Sequence, residues 1–368
     1  MKNIIRYTST TTSRPSLLSI LPSKRTLNRI LFDQDARLSY NKMIPILTTI
    51  YNNLSTPDKI KLPIYTKSSD LMEFQTVLKN IRNLTSSYNK NLIDLENELI
   101  EQSAELGNSN AISILSFETV QKRLKDESSV SLEDFNYANS LIQQLLDSNH
   151  ALTYRYAGNL AWEQNIVKKA IEYWKKFIEL EPNSIESSHV YYQLGYYYLT
   201  YESNPFIAKE FFEKSIAVGE LDNITIKSHF YLGQLIVDSN PKLAKYHWEL
   251  SSSKGLIDSI YNLGFLEMNV FNNLNQAIEW FKLGVESNSD INCLIGQFDC
   301  YIKMNKFQQA NKILKNLQNL SDKIKNTSLE NVPDESKNAK IKNEEILELF
   351  FKTRGNDIKK LNGNDLMI

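Results

Sequence analysis

Apolar residues return along this chain every three or four positions, the period of a helix packed on one side. In residues 69–84 they fall at Leu71, Phe74, Val77, Leu78 and Ile81, with Ser69 placed as the N-cap. Ile30, Leu31, Leu38, Ile44, Ile46 and Leu47 repeat the pattern over residues 24–54, where Pro45 is expected to kink or end the first helix. Thr56 before Pro57 resembles a cap with Pro at the first helical position, and KIKLPIY breaks any such helix soon after. The words AELGNSNAISIL read as one helix ending near Ala104, a turn through Gly107 and Asn108, and a new helix from Ala111. Ser131 and Asp134 have the spacing of a capping box and open a helix running through Leu146.

From about residue 150 a longer period is laid over the helical one. Gly158, Gly195, Gly233, Gly264 and Gly296 follow one another at spacings of 37, 38, 31 and 32 residues, each preceded by an apolar residue. Each is answered by an alanine (Ala170, Ala208, Ala244, Ala277, Ala310) and, four residues on, by a large apolar side chain (Trp174, Phe212, Trp248, Phe281, Leu314). Gly219, Gly255 and Gly284 stand near the ends of second helices, where left-handed caps are expected. The fold class that follows is all-α: a helical-hairpin (TPR/Sel1-like) solenoid of five repeats with a helical N-terminal region. The expected organisation is a presequence and disordered lead over 1–32, a helical region with an outlying Sel1-like repeat over 33–120, and a charged boundary over 121–131. The repeat array then fills 131–320, a flexible linker 321–343, and a C-terminal helix and tail 344–368, whose EEILELFFKTR is placed to cover the last repeat.

Charge changes the picture at one end. Residues 1–32 hold six basic residues (Lys2, Arg6, Arg14, Lys24, Arg25, Arg29) and no acid, the composition of a mitochondrial transit peptide or, alternatively, of a disordered basic tail. The remainder holds 36 basic and 43 acidic residues, and a mildly acidic body argues against a nucleic-acid partner. No stretch is apolar for long enough to predict a transmembrane helix.

Little chemistry is written in the chain. His150, His189, His229 and His247 are scattered, and none falls in a metal-ligand motif. Cys293 and Cys300 lie on one face of one helix with about 10 Å of rise between them, too far to bond, and are read as buried small residues. Glu96, Glu98 and Glu101 are read as a solvated polar face. No catalytic residue, metal site or cofactor is expected, and the protein is read as a non-enzyme. What remains is the inner face of the array. First helices of hairpin repeats line a groove with the residues three before, one after and four after each glycine. Those are Arg155, Asn159 and Trp162; Tyr192, Tyr196 and Leu199; Phe230, Gln234 and Val237; Tyr261, Phe265 and Met268; and Cys293, Gln297 and Cys300. Rings interleaved with amides suit an extended peptide, in a groove nearly free of charge where Arg155 alone is placed to meet a carboxylate. Packing between neighbouring repeats is the other reading of the same tyrosines.

Three stretches carry a family resemblance: KRTLNRILFDQDARLSYNKMIPI, AELGNSNAISILSF and LGFLEMNVFNNLNQAIEWFKLG. They resemble a family of fungal mitochondrial matrix proteins that promote export of the C-terminal tail of cytochrome c oxidase subunit two across the inner membrane. The resemblance implies a TPR-like assembly factor, peripheral on the matrix face of the inner membrane. It also implies the oxidase subunit or its insertion machinery as partner, and it brings no catalytic residues. The alternatives are a mitochondrial translation or RNA-processing factor and a cytosolic Sel1-type scaffold.

Overall fold

In the computed structural model the chain is described over residues 14–85, 88–288, 290–326 and 334–363, and these hold nineteen α-helices and one 3-10 turn. They fall into two compact units, Met1–Leu180 and Glu181–Ile368.

The first unit opens with α1 (Leu17–Ile20), α2 (Lys24–Asp33), α3 (Tyr40–Asn52) and the turn Pro57–Lys59. It continues with α4 (Ser68–Thr85), α5 (Lys90–Glu105), α6 (Ser109–Lys125), α7 (Leu132–Asp147), α8 (Ala151–Glu163) and α9 (Val167–Leu180). Helices α1 to α5 share one core in which Leu27, Met43, Ile46, Leu47, Ile50, Leu71, Phe74 and Val77 are fully buried. At roughly 1.5–3 kcal/mol for each large side chain removed from water, this core is sufficient to order the short helices that contribute to it.

Several expectations change in this unit. The lead placed over residues 1–32 is folded from residue 14, because Leu17, Leu21, Leu27, Ile30 and Leu31 are core residues; residues 1–13 lie outside the described residues. Pro45 sits inside α3 without ending it, and the break falls earlier, at residues 34–39, where Asp35 takes φ 51. Ser69 lies inside α4, and the start of that helix is held by Asp70, whose carboxylate accepts from the Lys67 N–H at 2.7 Å. Two of the three α5 carboxylates read as solvated are not: Glu96 and Glu98 are buried, since α5 packs against α3, α4 and α6, while Glu101 is half-buried. Arg82 reaches both oxygens of Glu96 at 3.0 Å, and the Gln102 amide donates to Glu98 at 3.2 Å.

The turn read from AELGNSNAISIL forms as expected. Gly107 takes φ +80 and Asn108 caps α6 through the Ala111 N–H. Ser131 likewise caps α7 by accepting from Asp134 N–H. Residues 121–131, expected as a boundary, are the end of α6 and the turn into α7, two helices packed on each other.

The second unit is a succession of hairpins: α10 (Ile185–Thr200) with α11 (Pro205–Val218), and α12 (Thr225–Ile236) with α13 (Pro241–Ser252). Then come α14 (Ile257–Asn269) with α15 (Leu274–Asn288), and α16 (Ile291–Lys303) with α17 (Phe307–Asn326). Together with α8 and α9 these are the five repeats read from the glycine ladder. All five ladder alanines are fully buried, and a Cβ on Gly158, Gly195, Gly233 or Gly264 would meet Trp174, Phe212, Trp248 or Phe281. Only Gly296 departs, since it meets Phe281 of the preceding hairpin and not Leu314.

The end-of-helix glycines are a correction. Gly255 does take φ +85, but Gly219 stands at φ −87 and Gly284 lies inside α15. Their reason is closeness: Gly219 abuts Ser188 and Thr225, and Gly284 abuts the Cys293 sulfur. The left-handed residues between first and second helices are instead Asn165, Ser203, Asn272 and Asn305, with φ between 49 and 61.

Of the expected linker, residues 321–326 extend α17 and residues 334–343 open α18 (Asp334–Thr353), while 327–333 lie outside the described residues. Helix α18 and α19 (Gly355–Gly363) then close the unit. Leu347, Phe350 and Leu361 bury against Ile291, Leu294 and Phe298 of α16, and Arg354 donates to Asp299 from Nε and Nη2, at 3.2 and 2.7 Å.

Candidate peptide-binding face

The fifteen residues placed in the groove do not all reach one surface. Tyr192 and Tyr196 on α10 lie one turn apart with ring centres at 6.3 Å, and both meet Tyr231 of α12, at 6.4 and 5.9 Å. Tyr231 in turn stacks on the buried ring of Phe212, at 5.3 Å and 12° between planes. The three phenols are half-buried over a solid aromatic base, and together they make a ring surface shared by consecutive first helices. Phe230 edges onto Tyr231 at 5.3 Å while its carbonyl accepts from the Trp248 indole at 3.1 Å.

Tyr261 and Phe265 on α14 form a second pair at 4.5 Å, with Phe265 meeting Phe281 edge-on at 5.0 Å. In the first unit Asn159 and Trp162 converge on Trp174: the indole N–H donates to the Asn159 side-chain oxygen at 3.0 Å, and the two indoles lie 5.4 Å apart. Arg155 stands over the ring of Tyr156 at 5.7 Å. Gln234 is exposed on α12, an amide beside the ring cluster that a peptide backbone can bond.

The last group is a correction. Gln297 is buried, and so are Cys293, Cys300 and Met268, so α16 contributes no accessible side chains at these positions. The cause is the close approach that Gly284 and Gly296 allow, which seats Cys293 and Phe281 between α15 and α16. Burial raises both thiols, Cys300 to about 12, so neither is a nucleophile at neutral pH.

Sequence reasoning missed Tyr231. It lies two residues before Gly233, outside the three positions read as groove-lining, and its neighbours on α10 are what bring it to the face. The face is also less free of charge than expected. The Lys227 ammonium stands 6.0 Å from the centre of the Tyr192 ring, and Asp258 lies near enough to reinforce the rise that burial imposes on the Tyr231 phenol. Burial likewise raises Tyr192 and Tyr261, with Asp290 acting on the latter. These phenols are therefore neutral donors across the physiological range.

Among the described residues no group of three or more His, Cys, Asp or Glu is placed to hold a metal ion. The four histidines have partners: His150 on Thr153, His189 on Asp222, and His229 on His247 with facing Nδ1 atoms at 2.8 Å. A surface depression of about 280 Å³ beside Asn275, Glu279, Lys282 and Tyr301 lies apart from the ring cluster.

Residues 13–108 match the family described as MSS2 N-terminal domain. The protein "Protein MSS2, mitochondrial" of Saccharomyces cerevisiae is 35% identical over 344 residues, covering 92% of this chain and 97% of that one. Among solved structures, a Sel1 repeat protein from Oxalobacter formigenes is similar at 14% identity and a TM-score of 0.43, covering 67% of this chain and 100% of that one. YrrB, described as a TPR protein with an unusual peptide-binding site, is similar at 21% identity and a TM-score of 0.40, covering 47% of this chain and 88% of that one.

Proposed function

The chain belongs to the MSS2 family, and from that membership we propose that it is a non-enzymatic mitochondrial assembly factor that holds an extended peptide on the rings of its first helices. Its cargo is the C-terminal tail of cytochrome c oxidase subunit two, or a segment of the machinery that inserts it, and its action promotes export of that tail across the inner membrane. The family resemblance of the three stretches around residues 24–46, 104–117 and 263–284 supports the cargo. The compartment is supported by the description of the yeast relative as mitochondrial and by the acid-free N-terminus. A matrix position, peripheral on the membrane, is the location this work requires; among the described residues no helix is long and apolar enough to cross a membrane.

The observation that carries the reading is the half-buried cluster of Tyr192, Tyr196 and Tyr231 with exposed Gln234 beside it. Rings fixed from below offer apolar area at small entropic cost, and neutral phenols and an amide satisfy the backbone of a segment kept extended. Lys227 and Asp258 at the edges set its direction by charge.

Photo-crosslinking residues placed at Tyr196 and Phe265 in intact mitochondria test this. Adducts with the subunit-two tail or its insertase are expected, falling severalfold when Tyr192 is replaced by alanine. Recovery of soluble partners alone overturns the export reading, and recovery of RNA returns the protein to gene expression.

A further inference from the structure

The most exposed aliphatic side chain among the described residues belongs to the N-terminal unit. Ile64 is 105% exposed at the tip of residues 60–67, between the 3-10 turn and α4. That tip is held from four sides. Thr66 N–H donates to the Pro63 carbonyl at 2.9 Å and closes a turn, and the Arg37 guanidinium donates to the Tyr65 carbonyl at 2.9 Å while gripping Asp70. The Tyr65 hydroxyl donates to the Lys42 carbonyl at 3.4 Å, and Lys67 N–H donates to Asp70. Ile64 is thus presented to solvent by a fixed turn.

Cations flank it along the chain and at the neighbouring Tyr65 ring. Lys59, Lys61 and Lys67 are exposed on the same loop, and the Lys42 ammonium stands 5.5 Å from the centre of the Tyr65 ring. Lys24 joins this edge from α2 through the Asn41 side chain at 3.3 Å and the Tyr40 ring at 5.1 Å. The acids nearby are few: Asp58 is exposed beside Lys59, Asp70 is fully buried under Arg37, and Glu73 accepts from the Arg37 N–H. Residues 14–73 carry nine basic and five acidic side chains in a protein whose totals are 42 and 43.

We propose that this basic edge, with Ile64 at its tip, binds the surface of an anionic lipid bilayer. A protein partner of ordinary affinity covers about 800 Å² on each side and needs a groove or a contiguous patch, whereas a lone aliphatic tip on a convex turn offers neither. A bilayer interface accepts a single apolar side chain wherever it arrives, and lysine stems let their ammonium groups reach lipid phosphates around it. The assignment rests on the peripheral location proposed above and is independent of the aromatic face, so either can fail without the other.

The full chain is sedimented with vesicles of phosphatidylcholine containing one third phosphatidylglycerol, and with vesicles of phosphatidylcholine alone. Binding to the anionic vesicles only is expected, weakening as salt rises. Lysine to glutamine changes at Lys61 and Lys67 are expected to weaken it about fivefold each, and Ile64→Ser about tenfold. All three positions are exposed, so the fold is retained. An Ile64→Trp variant adds a depth readout: its emission shifts to the blue with anionic vesicles and is quenched by spin-labelled acyl chains. Absence of binding to anionic vesicles, binding unchanged in the Ile64→Ser and lysine variants, or capture by an immobilised acidic peptide in place of vesicles each overturns the proposal.

Discussion

The ring of Phe281 lies between two glycines, Gly264 of its own hairpin and Gly296 of the next, and a Cβ on either would stand well under 3.0 Å from it. Alanine is intrinsically better than glycine in a helix by about 1 kcal/mol, while overpacking a core costs about 1–3 kcal/mol. Phe281 is fully buried and has nowhere to go, so the cost wins. Gly264→Ala is expected to destabilise the protein by up to about 2 kcal/mol in urea unfolding, whereas Gly355→Ala, with open space around it, leaves stability unchanged or raised. His229 and His247 allow a second test. Burial, and then the neighbouring His247, lower His229 to about 4, and burial lowers His247 as well. A base whose folded pKa is depressed contributes its full stability above the unfolded value of 6.5 and loses it as pH falls from there toward about 4. Unfolding free energy is therefore expected to drop by about 2 kcal/mol between neutral pH and about pH 5 from His229 alone. Replacing both histidines by glutamine flattens that part of the profile, and a profile unchanged by the replacement contradicts the assignment.

Helices begin and end here by local chemistry that a reader of the chain recovers unevenly. Ser131 caps as its spacing says, and the alanine and glycine ladder registers every hairpin of the array, because these signals act within four residues or recur from hairpin to hairpin. Ser69, Gly219 and Gly284 mislead for the opposite reason: what decides them is a carboxylate under Arg37, or a neighbouring helix whose approach no local pattern announces. The candidate site divides in the same way. Tyr192, Tyr196, Tyr261 and Phe265 were legible from register alone, but Tyr231 and the burial of Gln297 depend on how one hairpin settles on the next. Helices α18 and α19 show what such settling contributes. They cover Ile291, Leu294 and Phe298, and Arg354 spans 55 residues to a largely buried Asp299. Ending the chain after residue 333 is expected to uncover that face, lower the melting temperature, and raise dye binding to exposed apolar surface; Arg354→Ala alone costs about 1–2 kcal/mol.

Charge and folding overlap across the whole molecule at its N-terminus. The acid-free segment that reads as a transit peptide extends to residue 32, yet the folded unit already includes residue 14, whose guanidinium donates to the Tyr51 carbonyl at 2.9 Å. The Tyr51 hydroxyl returns the bond to the Pro15 carbonyl at 2.9 Å, and behind this latch Leu17, Leu27, Ile30 and Leu31 enter the core. Four of the six basic residues in that segment, Arg14, Lys24, Arg25 and Arg29, therefore belong to the folded unit. A leader removed on import has to be cut before Arg14 if the first unit is to keep its core. Loss of four large apolar side chains at roughly 2–5 kcal/mol each, about 8–20 kcal/mol together, is comparable to the 5–15 kcal/mol that holds an ordinary domain together. A chain starting at residue 14 is accordingly expected to fold with a single cooperative transition, and a chain starting at residue 33 to lose the transition of its first unit. Mass spectrometry of the protein recovered from mitochondria gives the natural end directly: a mature N-terminus at or before residue 14 agrees with the latch, and one near residue 33 contradicts it.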